Sequence, residues 1–342
     1  VEDNIMEIDG VIIPEGYKSQ GTLIETEIHI KKIKDFFEKE LFKALNLTRV
    51  SAPLFVDKSS GLNDNMTGYE RPIVFRASAA GKDVEIIQSL AKWRIMSLHR
   101  YGFCEGQGLY TDMHIIKKDD VMNNLHSIYV DQWGWEKVIS QDERNEAYLK
   151  SIVRSIYGVF RITESFVDSE VTKAGRKLPQ DIFFITAQDL ADKYPNLAPR
   201  ERENEICREY GAVFIMKIGD ALKSGEKHDG RSPDYDDWNL NGDIHFWYPL
   251  LNKSMEISSM GIRVNEEALD RQLRVAGAED RRELYFHKAL LEGRLPYTIG
   301  GGIGQSRVCM YFLNRAHIGE VQASVWNESI MNVCKENGIN LL

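Results

Sequence analysis

A chain of 342 residues with 43% hydrophobic and 28% charged residues has the make-up of one large globular domain or two ordinary ones, and no apolar run reaches the roughly 18 residues of a membrane span. Its net charge of −9 argues against a surface built to neutralise nucleic-acid phosphates. The acidic opening VEDNIMEIDG lacks the basic-then-apolar order of a secretion signal, so a cytoplasmic protein without membrane or nucleic-acid partners is expected. Cys104, Cys207, Cys309 and Cys334 are scattered with no CxxC pair, which predicts reduced and mostly buried thiols.

No repeat, low-complexity tract or linker divides the chain. An N-terminal extension over 1–21 and a single domain over 22–342 are expected. From 22 to about 45, Ile33, Phe36, Phe37, Leu41, Ala44 and Leu45 recur at helical spacing. Val50, Ala52, Leu54 and Val56 then alternate as a strand with Pro53 in its middle. Proline donates no ladder hydrogen bond, so this strand belongs at an edge or an interface. Strands are predicted at 72–77, 84–88, 109–116 and 126–132, a helix over about 137–168, and a strand near 181–186. A helix over 199–210 leads into the apolar run 212–216. The runs 243–250 and 255–260 flank Asn252 and Lys253 as an antiparallel hairpin. Helices at 265–275 and about 279–292, a glycine loop, and a helix from Ser306 complete the series. Strands outnumber clean βαβ units, which favours an α+β fold with a mainly antiparallel sheet flanked by helices.

The sharpest local signal is Gly300-Gly301-Gly302-Ile303-Gly304-Gln305-Ser306-Arg307. Glycines let a backbone approach a ligand closely, and a following helix offers unpaired N–H groups. Arg307 adds a permanent planar cation suited to phosphate or to stacking on a base. A tight turn before a helix would read the same way, and no third spaced glycine completes a dinucleotide fingerprint. In the expected hairpin, a period of two puts Glu256 and Ser258 on one face and Ser259 on the other. Carboxylates such as Asp243 and Glu256, projecting from a sheet into a phosphate site, are hard ligands for Mg2+; a solvated polar face is the alternative. The tract Asp234-Tyr235-Asp236-Asp237-Trp238 suits an exposed turn or a ligand's amino or ribose groups. The run from His126 to Glu136 alternates like a strand, with Asp131 and Gln132 near its end. Its aromatics suit a core, and the Gln132 amide could orient a polar ligand. Lys117 and Lys118 precede a loop rich in Asp and Asn, where solvated lysines are ordinary. Gln88 and Ser89 stand where a strand enters a helix, and Ser89 can serve there as a cap.

In series, LNDNMTG, SLAKW, EGQGLYT, NLHSIYVDQW, RSPDYDDW, LNGDI, SSMGIRV and TIGGGIGQSR closely resemble the signatures of the ammonia-dependent asparagine synthetase (aspartate–ammonia ligase) family. They run from about Leu62 to Arg307, nearly the whole chain. That family is similar to the class II aminoacyl-tRNA synthetase catalytic core, especially of the enzymes for aspartate and asparagine. The resemblance implies a class II-like catalytic domain and a homodimer, with the first helix and the Pro53 strand matching the dimer-forming motif. It implies amidation of aspartate by ammonia through a β-aspartyl-adenylate, with ATP as co-substrate, Mg2+ as metal, and AMP and pyrophosphate released.

Carried over position by position, the resemblance puts Lys117 and Arg307 on the phosphates, and Asp64 and Gln132 at the amine or ammonium end. Gln88, Ser89, Arg94 and Asp131 are expected around aspartate. Ser259, Gly302 and Arg263 join them, with Arg263 on the carboxylate that does not react. Leu109, His126, Tyr235, Asp236 and Ser258 are expected around the nucleotide, and Asp243 and Glu256 at the metal. The sequence departs from the family's usual residues at Arg94 (lysine), Lys117 (arginine) and Gly134 (aspartate). The two exchanges of Arg and Lys keep charge and change hydrogen-bond geometry, whereas Gly134 loses a carboxylate. Rival readings are a class II relative that hands activated aspartate to another acceptor, and a non-catalytic paralogue that binds amino acid or nucleotide. A tRNA-charging enzyme needs an anticodon module, and about 20 residues before the first helix are too few for one. The retained Asp243, Glu256, Arg263 and Arg307 favour a working enzyme.

Overall fold

The computed structural model describes residues 5–63, 71–173 and 175–342. It begins with an antiparallel hairpin of β1 (Ile5–Ile8) and β2 (Val11–Pro14). Val11, Ile12 and Ile13 are buried, and the Asn124 side chain bonds both polar groups of Ile12, accepting its N–H at 2.7 Å and donating to its carbonyl at 2.8 Å. The hydroxyls of Tyr17 and Ser19 donate to buried Glu320. This segment, whose sequence carries no such signal, is thus stitched into the main core.

Helix α1 (Leu23–Leu45) starts at a capping box: Oγ1 of Thr22 accepts from the N–H of Glu25, whose carboxylate accepts from the N–H of Thr22. Ile30, Ile33, Phe37, Leu41 and Leu45 form its buried face, and Phe37 stacks on Trp133 with centroids 4.9 Å apart. The strand expected over 50–56 is not continuous: β3 (Leu47–Arg49) ends before Val50, and β4 (Phe55–Asp57) begins only after Pro53. Each strand lies at the edge of a different sheet, which is where a residue without an N–H is tolerated. Strands β5 (Val74–Ala77) and β6 (Lys82–Ile86) complete a small sheet of order β4-β6-β5.

The main sheet is assembled from the rest of the chain. After α2 (Ala91–Tyr101) come β7 (Gly108–Ile116) and β8 (Tyr129–Val138), then the long α3 (Glu146–Glu170). Next are β9 (Phe183–Thr186), α4 (Ala187–Lys193), α5 (Pro199–Tyr210) and β10 (Ala212–Met216). The long hairpin of β11 (Asp236–Tyr248) and β12 (Lys253–Arg263) leads to α6 (Glu266–Ala276) and α7 (Tyr285–Leu291). Strand β13 (Thr298–Gly304), α8 (Gln305–Leu313) and α9 (Glu328–Glu336) follow. The strand order is β3-β7-β8-β13-β12-β11-β10-β9, antiparallel except for its two outermost pairs. The α+β fold class is borne out.

Two expectations are corrected. The helix expected from 137 begins at Glu146, because β8 runs on to Val138 in register with β13. The glycine loop is strand β13 itself, hydrogen-bonded between β8 and β12. Its glycines answer a crowding problem: a Cβ at Gly302 would lie 2.7 Å from Oε1 of Gln132, and one at Gly300 would overlap the Glu136 carboxylate. Among the described residues no helix is long and apolar enough to cross a membrane.

Candidate active site

A cavity of about 280 Å³ opens over the central strands, walled by β8, β11, β12 and β13, the start of α2 and the start of α8. The alternation of strand side chains aims Gln132 from β8, Asp243 from β11 and Ser259 from β12 into it. Gln88 and Ser89 enter from the turn before α2, Lys117 and His126 from the connection between β7 and β8, and Gly302 from β13.

A chain of contacts between alternating charges spans this cavity. Arg94, 3% exposed, points Nε at the Glu136 carboxylate from 3.6 Å. Glu136 holds Arg263 with two bonds, 2.8 and 2.9 Å, and also accepts from Oγ1 of Thr298. The free fork of Arg263 bonds Asp236, and its guanidinium lies 5.4 Å from the Tyr235 ring. Asp236 faces Nε of Arg231 at 3.8 Å, and Arg231 reaches Asp243 at 2.7 Å and Ser259 at 2.5 Å. On the far side of this acid pair, Arg307 donates to the Glu256 carbonyl at 2.7 Å and lies 3.6 Å from its carboxylate.

The two ends of the chain are unbalanced in opposite senses. Arg94 has no hydrogen-bond acceptor on Nε, and its Nη1 meets only the Met113 sulfur at 3.9 Å. Burial lowers its guanidinium to about 10, although Glu136 works against this. At the other end, burial pushes the Asp243 carboxyl above its usual range, and neighbouring Glu256 adds to the rise despite the Arg231 cation. Among the described residues no three metal-ligating side chains converge. The acid pair therefore fits a divalent ion that takes most of its ligands from phosphate and water, as Mg2+ does. Oε1 of Gln88 and Oγ of Ser258 are buried without partners, two more polar atoms left over for a ligand.

The structure brings most of the sequence-derived residues together: Gln88, Ser89, Arg94, Lys117, His126 and Gln132 line the cavity. Tyr235, Asp236, Asp243, Glu256, Ser258, Ser259, Arg263, Gly302 and Arg307 do so as well. Burial, with Arg307 nearby, lowers His126 to about 4. Leu109 is the exception. It is fully buried with Leu98 and Val138 in a separate small core and does not reach the cavity. Asp64 lies outside the described residues. Asp131 touches the cavity, but its oxygens are taken: Oδ1 accepts from the N–H and hydroxyl of Ser306, and Oδ2 pairs with Lys34 at 2.8 Å. Its place is at the N-terminus of α8, where a carboxylate is favoured.

Glu136 and Arg231 were not among the expected residues. Glu136 carried a signal, as a charge at a core-facing position of an aromatic strand; Arg231 opens the signature segment RSPDYDDW, whose acids drew the attention instead.

A family model described as aspartate-ammonia ligase matches residues 24–338. A Clostridium perfringens protein named aspartate–ammonia ligase is 59% identical over 336 residues, covering 98% of this chain and 100% of its own length. One of the same name from Fusobacterium nucleatum is 58% identical over 326 residues, 95% of this chain and 99% of that protein. Among solved structures, asparaginyl-tRNA synthetase of Pyrococcus horikoshii with asparaginyl-adenylate aligns with a TM-score of 0.64 at 12% identity, over 88% of this chain and 70% of that one. The Entamoeba histolytica asparaginyl-tRNA synthetase aligns with a TM-score of 0.61, also at 12% identity, over 88% of this chain and 66% of that one. At such identity the likeness is one of fold, that of the class II catalytic core, and this chain spans about two thirds of the synthetases' length.

Proposed function

The chain belongs to the aspartate–ammonia ligase family, C–N ligases of ATP-dependent asparagine synthesis, and from that premise we propose that it amidates aspartate through a β-aspartyl-adenylate. One observation carries this reading: the cavity offers a buried guanidinium at Arg94 whose Nε has no hydrogen-bond acceptor, and opposite it a buried carboxyl at Asp243 that burial and neighbouring Glu256 push above its usual range. An amino-acid carboxylate would complete the first end. A divalent cation on a triphosphate would complete the second.

Arg94 is then the clamp on the carboxylate of aspartate that does not react. Arg263, to which the family resemblance gave that part, spends its forks on Glu136 and Asp236 and positions those acids. In the first step an oxygen of the side-chain carboxylate attacks the α-phosphorus, the bond to the β-phosphate oxygen breaks, and pyrophosphate leaves with the electron pair. Lys117, whose ammonium has no ion pair among the described residues, and Arg307 stabilise the charge that develops on phosphorus oxygens. Asp243 and Glu256 would hold Mg2+, which supplies charge neutralisation on the phosphates when bound. In the second step ammonia attacks the acyl carbon, AMP leaves with its electron pair, and the nitrogen sheds a proton. Gln132 and Asp64 are the residues we assign to the amine or ammonium end. We further propose a homodimer working in the cytoplasm.

Aspartate labelled with ¹⁸O in its side-chain carboxylate tests the chemistry. The label should appear in AMP when ATP and ammonium are present, with asparagine as the other product. Formation of ADP, with the label in inorganic phosphate, would replace the adenylate with an acyl phosphate.

A further inference from the structure

Arg231 stands at the junction of the two ends of the cavity, and its contacts suit one of its two possible states only. Its loop, between β10 and β11, is held firmly. His228, 1% exposed at its side chain, lies 3.2 Å from Glu203 on α5, and the indole N–H of Trp238 donates to the Ser232 carbonyl at 3.2 Å. Asp234 is buried against Lys92 at 3.1 Å and Arg281 at 2.9 Å. The backbone is therefore fixed, and freedom belongs to the Arg231 side chain.

That side chain is nine-tenths buried and faces the cavity. It gives one N–H to Asp243 and one to Ser259, while Nε–H has no acceptor. A guanidinium carries five donors in a planar fork suited to phosphate, so most of this fork is unspent. It also sits on Asp243, an acid that we assign to a cation-bound triphosphate. Two cations crowding one buried carboxylate repel each other strongly.

We propose that Arg231 is a place-holding cation. In the nucleotide-free enzyme it neutralises Asp243 and keeps free divalent ions off it. When the nucleotide arrives with its own cation, Arg231 lets go of Asp243 and turns its fork onto the departing phosphates. The pair of acids is thereby never left without a positive partner, and a metal ion without nucleotide finds its seat taken. This rests on the proposed function of the cavity and adds a phosphate-contacting residue and an order of binding to it.

The test uses Mn2+ as probe, with loss of the free-ion signal in electron paramagnetic resonance reporting binding to nucleotide-free enzyme. Arg231→Gln should bind Mn2+ about tenfold or more tightly than wild type, because the competing charge is gone. In the same variant, aspartate-dependent exchange of pyrophosphate into ATP should fall about 10²-fold, the size of effect for one lost transition-state donor. Arg231→Lys keeps the charge and loses the fork. Its Mn2+ affinity should stay near wild type, with exchange still depressed, and it carries the test if the glutamine variant does not fold. Mn2+ affinity in Arg231→Gln no tighter than wild type, or exchange unchanged in Arg231→Lys, overturns the proposal. A wild type that forms no AMP from aspartate, ATP and ammonium sinks the proposed function instead, whatever the Mn2+ result.

Discussion

A methyl group on Gly134 would overlap Nη1 of Arg94 and lie 3.2 Å from Oγ1 of Thr111. The two positions at which the resemblance leads one to expect other residues, 94 and 134, thus meet in space: the forked cation of Arg94 occupies the room that a side chain at 134 would fill. Forty positions apart in the chain, they show no link in the sequence. Gly134→Ala should displace the guanidinium and raise the KM for aspartate by about 10²-fold, the cost of an ångström-scale misplacement, with the KM for ATP little changed. Steady-state kinetics with each substrate varied check this, and a selective rise in the ATP value would contradict it. Arg263 and Arg307 should fail differently. Arg263→Ala takes from Glu136 and Asp236 their closest cation and leaves them only the longer contacts to Arg94 and Arg231, a loss of about 3–5 kcal/mol that a melting curve would register. Arg307, with 21% of its side chain exposed, holds less of the fold; Arg307→Ala should keep its melting temperature and lose about 10²–10³ in turnover. Equal thermal losses in both variants would mean that both merely support the fold. His317, fully buried against Trp326, is lowered by burial from 6.5 to about 4. Between those values the unfolded chain holds a proton that the folded chain does not. Stability should therefore fall as the pH drops through that window, by up to about 3 kcal/mol from this group. Denaturant titrations from pH 7 to 4 should show a shallower decline in His317→Asn than in wild type; an unchanged slope would place the sensitivity elsewhere.

At the scale of elements, apolar periodicity made α1, β7, β10 and the β11–β12 hairpin legible, because each shows one clear buried face or a fully buried run. Strand β13 was not, since four of its seven residues are glycine and glycine pattern alone signals a turn. What makes it a strand is tertiary: Glu136 and Gln132 on β8 stand where its side chains would be. The same neighbours explain why Arg307 was found by sequence while its setting was misread. The helix that carries Arg307 was right, and it is tied to β8 and α1 through Asp131, Ser306 and Lys34. Helix α1 has a second face that the described residues leave largely exposed. Leu23, Ile24 and Ile28 are exposed on it, and Leu54, Phe55, Val74 and Phe75 are exposed on the small sheet. Such patches and open strand edges are liabilities unless a partner covers them. We expect Ile24→Glu with Ile28→Glu to turn a dimer into a monomer in analytical ultracentrifugation, while wild type sediments as a dimer at micromolar concentration. A wild-type monomer would leave the homodimer without support.

For the whole molecule, the order of residues along the chain and their order in space differ most at the N-terminus. The hydrogen bonds from Tyr17 and Ser19 to Glu320 span 303 and 301 positions, and Asn124 reaches Ile12 across 112. Contacts of such separation are slow to form, because a long loop must close before they reward it. During synthesis, at roughly 5–20 residues per second, the first hairpin leaves the ribosome well ahead of Glu320, on the order of tens of seconds. For that interval Val11, Ile12 and Ile13, all buried in the finished protein, have no core to enter. The nascent chain thus carries a sticky early segment until its final tenth appears. A chaperone that shields early apolar segments should raise the yield of folded enzyme, and a ribosome stalled before residue 317 should hold that hairpin in a protease-sensitive state.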